Sequence, residues 1–149
     1  MSKELSEEEI EDAKRFADKE LKTLENIFNP GKLSKMINTF VNKFVICEQV
    51  YKKTFKYVKK TDCKEIRINC VKKFFHDLKY DFNDESLKNI FGSEKRCKKR
   101  SAKKLRDLIL HEMNSSAIKE ITKRYDELIG YMDAFLNGIK SQTEKERED

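Results

Sequence analysis

The stretch AIKEITKRYDELIGYMDAFLNGI (residues 117–139) has the clearest periodicity in the chain and decides the fold class. Its apolar residues recur every three or four positions, which is the spacing of one face of an α-helix. They are Ile118, Ile121, Tyr125, Leu128, Met132, Phe135 and Ile139. This seven-residue rhythm predicts one amphipathic helix that pairs with another helix, either in the same chain or in a partner.

The same period predicts four further long helices upstream of this stretch. Ser6 and Glu9 form an S-x-x-E capping box, which predicts that the first helix begins at about residue 7. The sequence NPG at 29–31 ends that helix, and Asp62 and Glu65 resemble the cap of the third helix. The five predicted helices cover about residues 7–28, 33–60, 66–80, 94–113 and 118–139.

Composition favours an all-α fold, an antiparallel helical bundle of about five helices. The 149 residues include ten Phe and five Tyr, which offer large side chains to bury, but only four Gly and one Pro. Residues 81–93 are predicted as a loop with one short helix ended by Gly92, and NSS at 114–116 separates the last two long helices. We expect a single helical-bundle domain over residues 1–140 and a charged, disordered tail over residues 141–149.

Membrane, export and metal-binding signals are not evident in the sequence. No apolar run reaches the roughly 18 residues that span a bilayer, and the acidic start MSKELSEEEIEDAKR does not resemble a signal sequence. We therefore expect a cytoplasmic protein with no membrane partner. Cys47, Cys63, Cys70 and Cys97 form no C-x-x-C motif and lie more than four residues from either histidine, which indicates free thiols, no metal site and no cofactor.

The formal charge of +6 is unevenly distributed along the chain. Residues 88–106 carry nine bases and one acid, whereas residues 1–30 carry nine acids and five bases. Such a concentration of positive charge attracts polyanions, above all nucleic acid, although a solvated helix face that aids solubility has the same composition. The residues expected to bind an RNA backbone are Arg96, Lys98, Lys99, Arg100, Lys103 and Lys104.

The helix that follows the basic run carries a set of residues suited to phosphate chemistry. Asp107 and His111 are four residues apart, so that a carboxylate can hold the imidazole in one tautomer and raise its pKa. Arg106 offers a planar set of donors for a phosphate but lies about 140° around the helix from His111. The alternative interpretation of His111 is structural, because a positively charged histidine is favoured at the C-terminal end of a helix.

The sequence LRDLILH (residues 105–111) resembles the R-x4–6-H signature of HEPN domains, in which a polar residue often follows the arginine. The resemblance covers residues 103–139, where the motif ends one helix and an amphipathic helix follows. It implies an antiparallel helical bundle that dimerises and brings two motifs into one cleft. It also implies that Arg106 and His111 are catalytic and that Asp107 positions them.

Many HEPN domains are metal-independent endoribonucleases in toxin–antitoxin, abortive-infection and CRISPR systems, and others are inactive scaffolds. The leading hypothesis is therefore a homodimeric ribonuclease that cleaves RNA without a metal, as a toxin or phage-defence effector, with any antitoxin a separate protein. The first alternative is a non-catalytic helical module that binds nucleic acid or protein. The second is an interaction protein whose long helices pair with a partner and that has no affinity for RNA at physiological salt.

Overall fold

The computed structural model describes residues 5–28, 32–92, 99–112 and 114–148, and within these ranges all the regular secondary structure is helical. The prediction of an all-α fold is confirmed. The helices are α1 (Glu7–Phe28), α2 (Lys32–Lys59), α3 (Ile68–Asp77), α4 (Asp84–Phe91), α5 (Ala102–Glu112), α6 (Ser115–Lys123) and α7 (Tyr125–Glu148). Among the described residues, no helix combines the length and apolar character needed to cross a membrane.

The chain forms two compact units, Met1–Asn38 and Thr39–Asp149. In the first unit, α1 begins with the predicted capping box: the Glu9 N–H donates to Ser6 Oγ at 3.1 Å, and the Ser6 N–H donates to Glu9 Oε1 at 3.3 Å. These two bonds satisfy donors that the first turn of a helix leaves free. The expected division into residues 1–140 and a disordered tail stays a prediction, although α7 is helical beyond residue 140.

The core of the second unit is built on the apolar stripe of α2 and on aromatic rings from the later helices. Phe40, Phe44, Cys47 and Tyr51 recur at helical spacing and are fully buried. Aromatic rings of the core pack edge to face against one another. The ring centroids of Tyr51 and Phe74 are 5.6 Å apart, those of Phe75 and Phe135 are 5.4 Å apart, and those of Phe91 and Phe135 are 5.6 Å apart. Each large ring removes substantial apolar area from water, so this cluster holds together α2, α3, α4 and α7.

Helix α4 lies in the middle of this unit and packs against α3, α5 and α7. Asn83 caps its N-terminus by accepting from the N–H groups of Glu85 and Ser86, and Gly92 ends it, as the sequence predicts. Gly138 on α7 allows Phe82 to approach closely, because a Cβ at Gly138 would lie 2.6 Å from the ring. The short helix thus connects the C-terminal helix to the rest of the core.

The start of the third helix differs from the sequence prediction. Helix α3 begins at Ile68, and its N-cap residue Arg67 makes no side-chain capping bond, because a guanidinium has no acceptor for the free N–H groups of the first turn. Glu65 pairs with Arg67 at 3.1 Å. Asp62 pairs instead with Lys56 at 3.3 Å. The prediction of a cap formed by Asp62 and Glu65 is therefore wrong.

The basic helix expected from about residue 94 to residue 113 is shorter than predicted. Residues 99–101 are not helical, α5 runs from Ala102 to Glu112, and residues 93–98 lie outside the described part of the chain. The hydroxyl of Ser101 is buried, accepts from the Lys104 N–H at 3.2 Å and donates to the Gly92 carbonyl. A serine that ends an irregular segment in this way favours a helix start directly after it.

The last predicted helix is divided into α6 and α7 at Arg124, so one continuous helix was the wrong prediction. The backbone of Arg124 has φ −103° and ψ 18°, and only 9% of the surface of this residue is exposed. Its guanidinium donates to Glu120, to Glu127 and to the carbonyl of Arg100, which lies just before α5. The apolar period is continuous through this point, and for that reason it does not predict the break.

Candidate functional site

Arg106 is a largely buried arginine that α5 presents to α2. Its Nη2 donates to Glu48 Oε2 at 2.8 Å, and its Cζ lies 4.8 Å from the centroid of the Phe44 ring. The side chains of Arg106 and Glu48 are 16% and 9% exposed. We call the ion pair of Arg106 and Glu48 the Arg106 pair. The ring of Phe44 supports the guanidinium of this pair by a cation–π interaction.

Burial makes the Arg106 pair sensitive to the loss of either partner. Two charges taken out of water are tolerated when they are paired, and removal of one leaves the other uncompensated at a cost of about 3–5 kcal/mol. Glu48 stands four residues after Phe44 on the buried stripe of α2, where the other positions are apolar. A charged residue on such a stripe is a sequence signal for a buried partner, and this signal was missed at Glu48.

Asp107 lies against Arg106 in the structure. Its Oδ1 is 3.0 Å from Arg106 Nε, and within the described residues this buried Nε makes no hydrogen bond, because the angle is unfavourable. His111 is exposed in the last turn of α5. No hydrogen bond joins Asp107 to His111 in the part of the chain that the structure describes, so the expected carboxylate–imidazole contact stays a prediction.

Two of the six predicted RNA-binding residues belong to a network of ion pairs. Arg100 Nε donates to Glu120 Oε1 at 2.7 Å, the Arg100 N–H donates to Glu120 Oε2 at 2.9 Å, and Lys99 Nζ lies 3.5 Å from Glu127 Oε1. Arg124 Nη1 donates to Glu120 Oε2 and, at 2.7 Å, to the carbonyl of Arg100, while its Nε donates to Glu127 Oε2 at 3.0 Å. We call Arg100, Glu120, Arg124 and Glu127 the Glu120 cluster.

The Glu120 cluster holds its carboxylates in the charged form. Burial by itself raises the pKa of Glu120, but hydrogen bonds from Arg100 and Arg124 outweigh it and keep this pKa below the ordinary value. The hydrogen bond from Arg124 lowers the pKa of Glu127 in the same way. The cluster fastens the segment before α5 to the junction of α6 and α7, and this accounts for the break in the helix at Arg124.

The other predicted RNA-binding residues have different surroundings. Lys104 is exposed, whereas Lys103 is half-buried and lines a cavity of about 470 Å³ together with residues 65–70. Arg96 and Lys98 lie outside the described residues. The structure thus leaves Lys104 and Lys103 as the lysines nearest the Arg106 pair on α5, and neither forms an ion pair within the described ranges.

The cysteines of the described residues are free thiols at Cys47, Cys63 and Cys70. Burial raises the pKa of Cys47 to about 12, which makes this thiol an inert core residue at neutral pH. Within the described ranges, no group of three or more histidine, cysteine, aspartate or glutamate residues is arranged to hold a metal ion.

Comparison of the chain with protein-family models, curated proteins and solved structures gives no match.

Proposed function

We propose that this chain is a HEPN-like, metal-independent endoribonuclease that cleaves RNA in the cytoplasm as a homodimer with an antiparallel bundle fold. The observation that carries the proposal is that α5 presents an oriented arginine and an exposed histidine five residues apart. Arg106 is fixed by Glu48 and Phe44, and His111 is open to solvent. A toxin or phage-defence effector, with its antitoxin on a separate chain, is the role that suits this activity.

Each residue has one task in the proposed reaction. His111 takes the proton from the ribose 2′-hydroxyl as that oxygen attacks the adjacent phosphorus, or gives a proton to the departing 5′-oxygen. Arg106 stabilises the charge that develops on the phosphorane oxygens. The products are a 2′,3′-cyclic phosphate and a free 5′-hydroxyl, so no water and no metal ion are consumed in this step.

A second copy completes the proposed site. Arg106 and His111 are about 140° apart around α5, and two such helices facing each other would bring the arginine of one chain toward the histidine of the other. Lys103 and Lys104, which stand three and two residues before Arg106 on α5, then supply charge for the flanking phosphates. Asp107, which lies beside Arg106, is the positioning residue of the motif.

A non-catalytic RNA-binding module is the second candidate, and one observation favours it. Arg106 and Arg100 donate to buried carboxylates, and Lys99 is paired with Glu127. In such a module these residues only stabilise the fold, and the free lysines of α5 bind phosphates without chemistry.

The test is cleavage of labelled single-stranded RNA in the presence of EDTA by wild type and by His111→Ala. We expect loss of cleavage by about 100-fold or more, because general acid–base catalysis contributes about 10²–10⁴-fold. The matched control is His76→Ala, since His76 is the other histidine of the chain and is also exposed on a helix. Binding of RNA by wild type with no cleavage would favour the second candidate, and equal cleavage by His111→Ala would remove His111 from the mechanism.

A further inference from the structure

Glu48 is the one acidic residue on the stripe of α2 formed by Phe44, Cys47 and Tyr51, all of which are fully buried. A carboxylate in such surroundings is retained only when it is paired, and its partner is Arg106, 58 residues away in the sequence. Glu48 and Phe44 were not among the functional residues that the sequence predicts. Both residues contact a candidate catalytic arginine.

The two contacts fix the guanidinium group in different ways. The hydrogen bond from Nη2 to Glu48 Oε2, at 2.8 Å, sets the direction of the group within its plane. The Phe44 ring, 4.8 Å from Cζ, supports one face of that plane. A flexible arginine side chain is thereby restricted before any substrate arrives, and the entropy of ordering it is lost during folding instead of during binding.

The nitrogen atoms of Arg106 are left in unequal positions. Nη2 directs one of its hydrogens to Glu48, and the buried Nε lies 3.0 Å from Asp107 Oδ1 in an ion pair but makes no hydrogen bond within the described residues. Within the described residues Nη1 makes no hydrogen bond, so it is the atom of this group whose donors remain for a phosphate oxygen.

We infer that Glu48 is a positioning residue, assisted by Phe44, which holds Arg106 so that Nη1 faces the scissile phosphate. This inference rests on the proposed function. It differs from a simple electrostatic effect, because a carboxylate next to the arginine weakens its attraction for RNA. Glu48 therefore acts against ground-state binding and in favour of the transition state.

The opposed effects define the experiment, which uses the full chain with Glu48→Gln. Glutamine keeps an oxygen acceptor and nearly the same volume but holds the guanidinium less firmly. We expect kcat for RNA cleavage to fall by about 10- to 100-fold, while KM and the Kd for RNA stay the same or decrease. The matched control is Asp133→Asn, which weakens the ion pair of Asp133 on α7 with Lys43 on α2 and leaves the contact between Glu48 and Arg106 in place; its kcat and KM should equal those of wild type.

A second variant covers the case in which Glu48→Gln does not fold. Phe44→Leu keeps an apolar side chain and the ion pair but removes the ring beneath the guanidinium, and we expect a smaller fall in kcat with unchanged KM. NMR of the arginine side chains supplies a readout that does not depend on activity. Separate Nη resonances of Arg106, assigned with Arg106→Lys, should show slow rotation in wild type and fast rotation in Glu48→Gln.

The outcomes separate this inference from the proposed function. Wild-type cleavage with unchanged kcat in folded Glu48→Gln, or a rise in KM without a change in kcat, overturns the positioning role and leaves the ribonuclease intact. Equal Nη rotation in wild type and Glu48→Gln overturns it as well. Absence of cleavage by wild type overturns the proposed function itself, and the catalytic role of Glu48 falls with it.

Discussion

The Arg106 pair is largely buried and the Glu120 cluster partly buried, and both join arginines to carboxylates, yet they use their donors differently. In the cluster, Arg124 donates to Glu127, to Glu120 and to the carbonyl of Arg100. In the pair, Arg106 makes a single hydrogen bond within the described residues, to Glu48, beside its ion pair with Asp107. An arginine with many partners fastens segments together, whereas one that is held at a single point keeps donors for a ligand. The comparison teaches that burial alone does not distinguish a structural arginine from a functional one.

The largest effect that we expect is a loss of stability when the Glu120 cluster is disrupted. Glu120→Ala leaves Arg100 and Arg124 without their shared carboxylate, and we expect the free energy of unfolding to fall by about 3–5 kcal/mol. Urea denaturation followed by circular dichroism measures this change. RNA cleavage per folded molecule should equal that of wild type.

The control for that prediction is Asp126→Ala, which removes an exposed carboxylate from the first turn of the neighbouring helix α7. We expect a change within about 0.5 kcal/mol. A loss of stability in Glu120→Ala as small as in this control would show that the Glu120 cluster does not fasten the fold, and the contrast with the Arg106 pair would disappear.

Acid unfolding tests how much the carboxylates of the Glu120 cluster contribute to stability. The folded-state pKa values of Glu120 and Glu127 lie below the ordinary value, so the unfolded chain takes up protons first as the pH falls. Their contribution to stability is complete above the ordinary carboxyl pKa of about 4.3 and is lost as the pH falls through the lower folded-state values. Glu120→Gln should therefore lose less stability than wild type between about pH 5 and pH 2. Parallel pH profiles of the two proteins would contradict this account.

The smallest effect that we expect is a change in RNA affinity when Lys104 or Lys99 is replaced. Lys104 is exposed and has no ion-pair partner within the described ranges, whereas Lys99 lies 3.5 Å from Glu127. Lys104→Ala should weaken RNA binding a few-fold and reduce the slope of log K against log salt by about 1, since one phosphate contact is lost. Lys99→Ala should change the slope less, because its charge is already partly compensated. Fluorescence anisotropy over a salt series measures both, and equal slopes for the two variants would remove the distinction.

Much of the fold follows from local signals in the sequence. The capping box of Ser6 and Glu9, the short helix ended by Gly92 and the restart of the chain at Asn114 are all observed where the pattern predicts them. These features depend on residues three or four positions apart, and such interactions are encoded by the neighbouring sequence. The candidate site was predictable only in part, because Arg106 and His111 share a helix but their partners do not.

The sequence by itself determined that the chain is helical, that Phe40, Phe44, Cys47 and Tyr51 are core residues and that Ser6 and Glu9 cap the first helix, because helical periodicity and capping are local properties. Only the tertiary structure decided that Glu48 pairs with Arg106, that Asp107 lies against that arginine, and that Arg124 interrupts the last predicted helix. The physical reason is that a buried charge requires a partner but does not specify which one. The packing of distant helices makes that choice, and in this chain it separates the arginines that fasten the fold from the one that we propose to act on RNA.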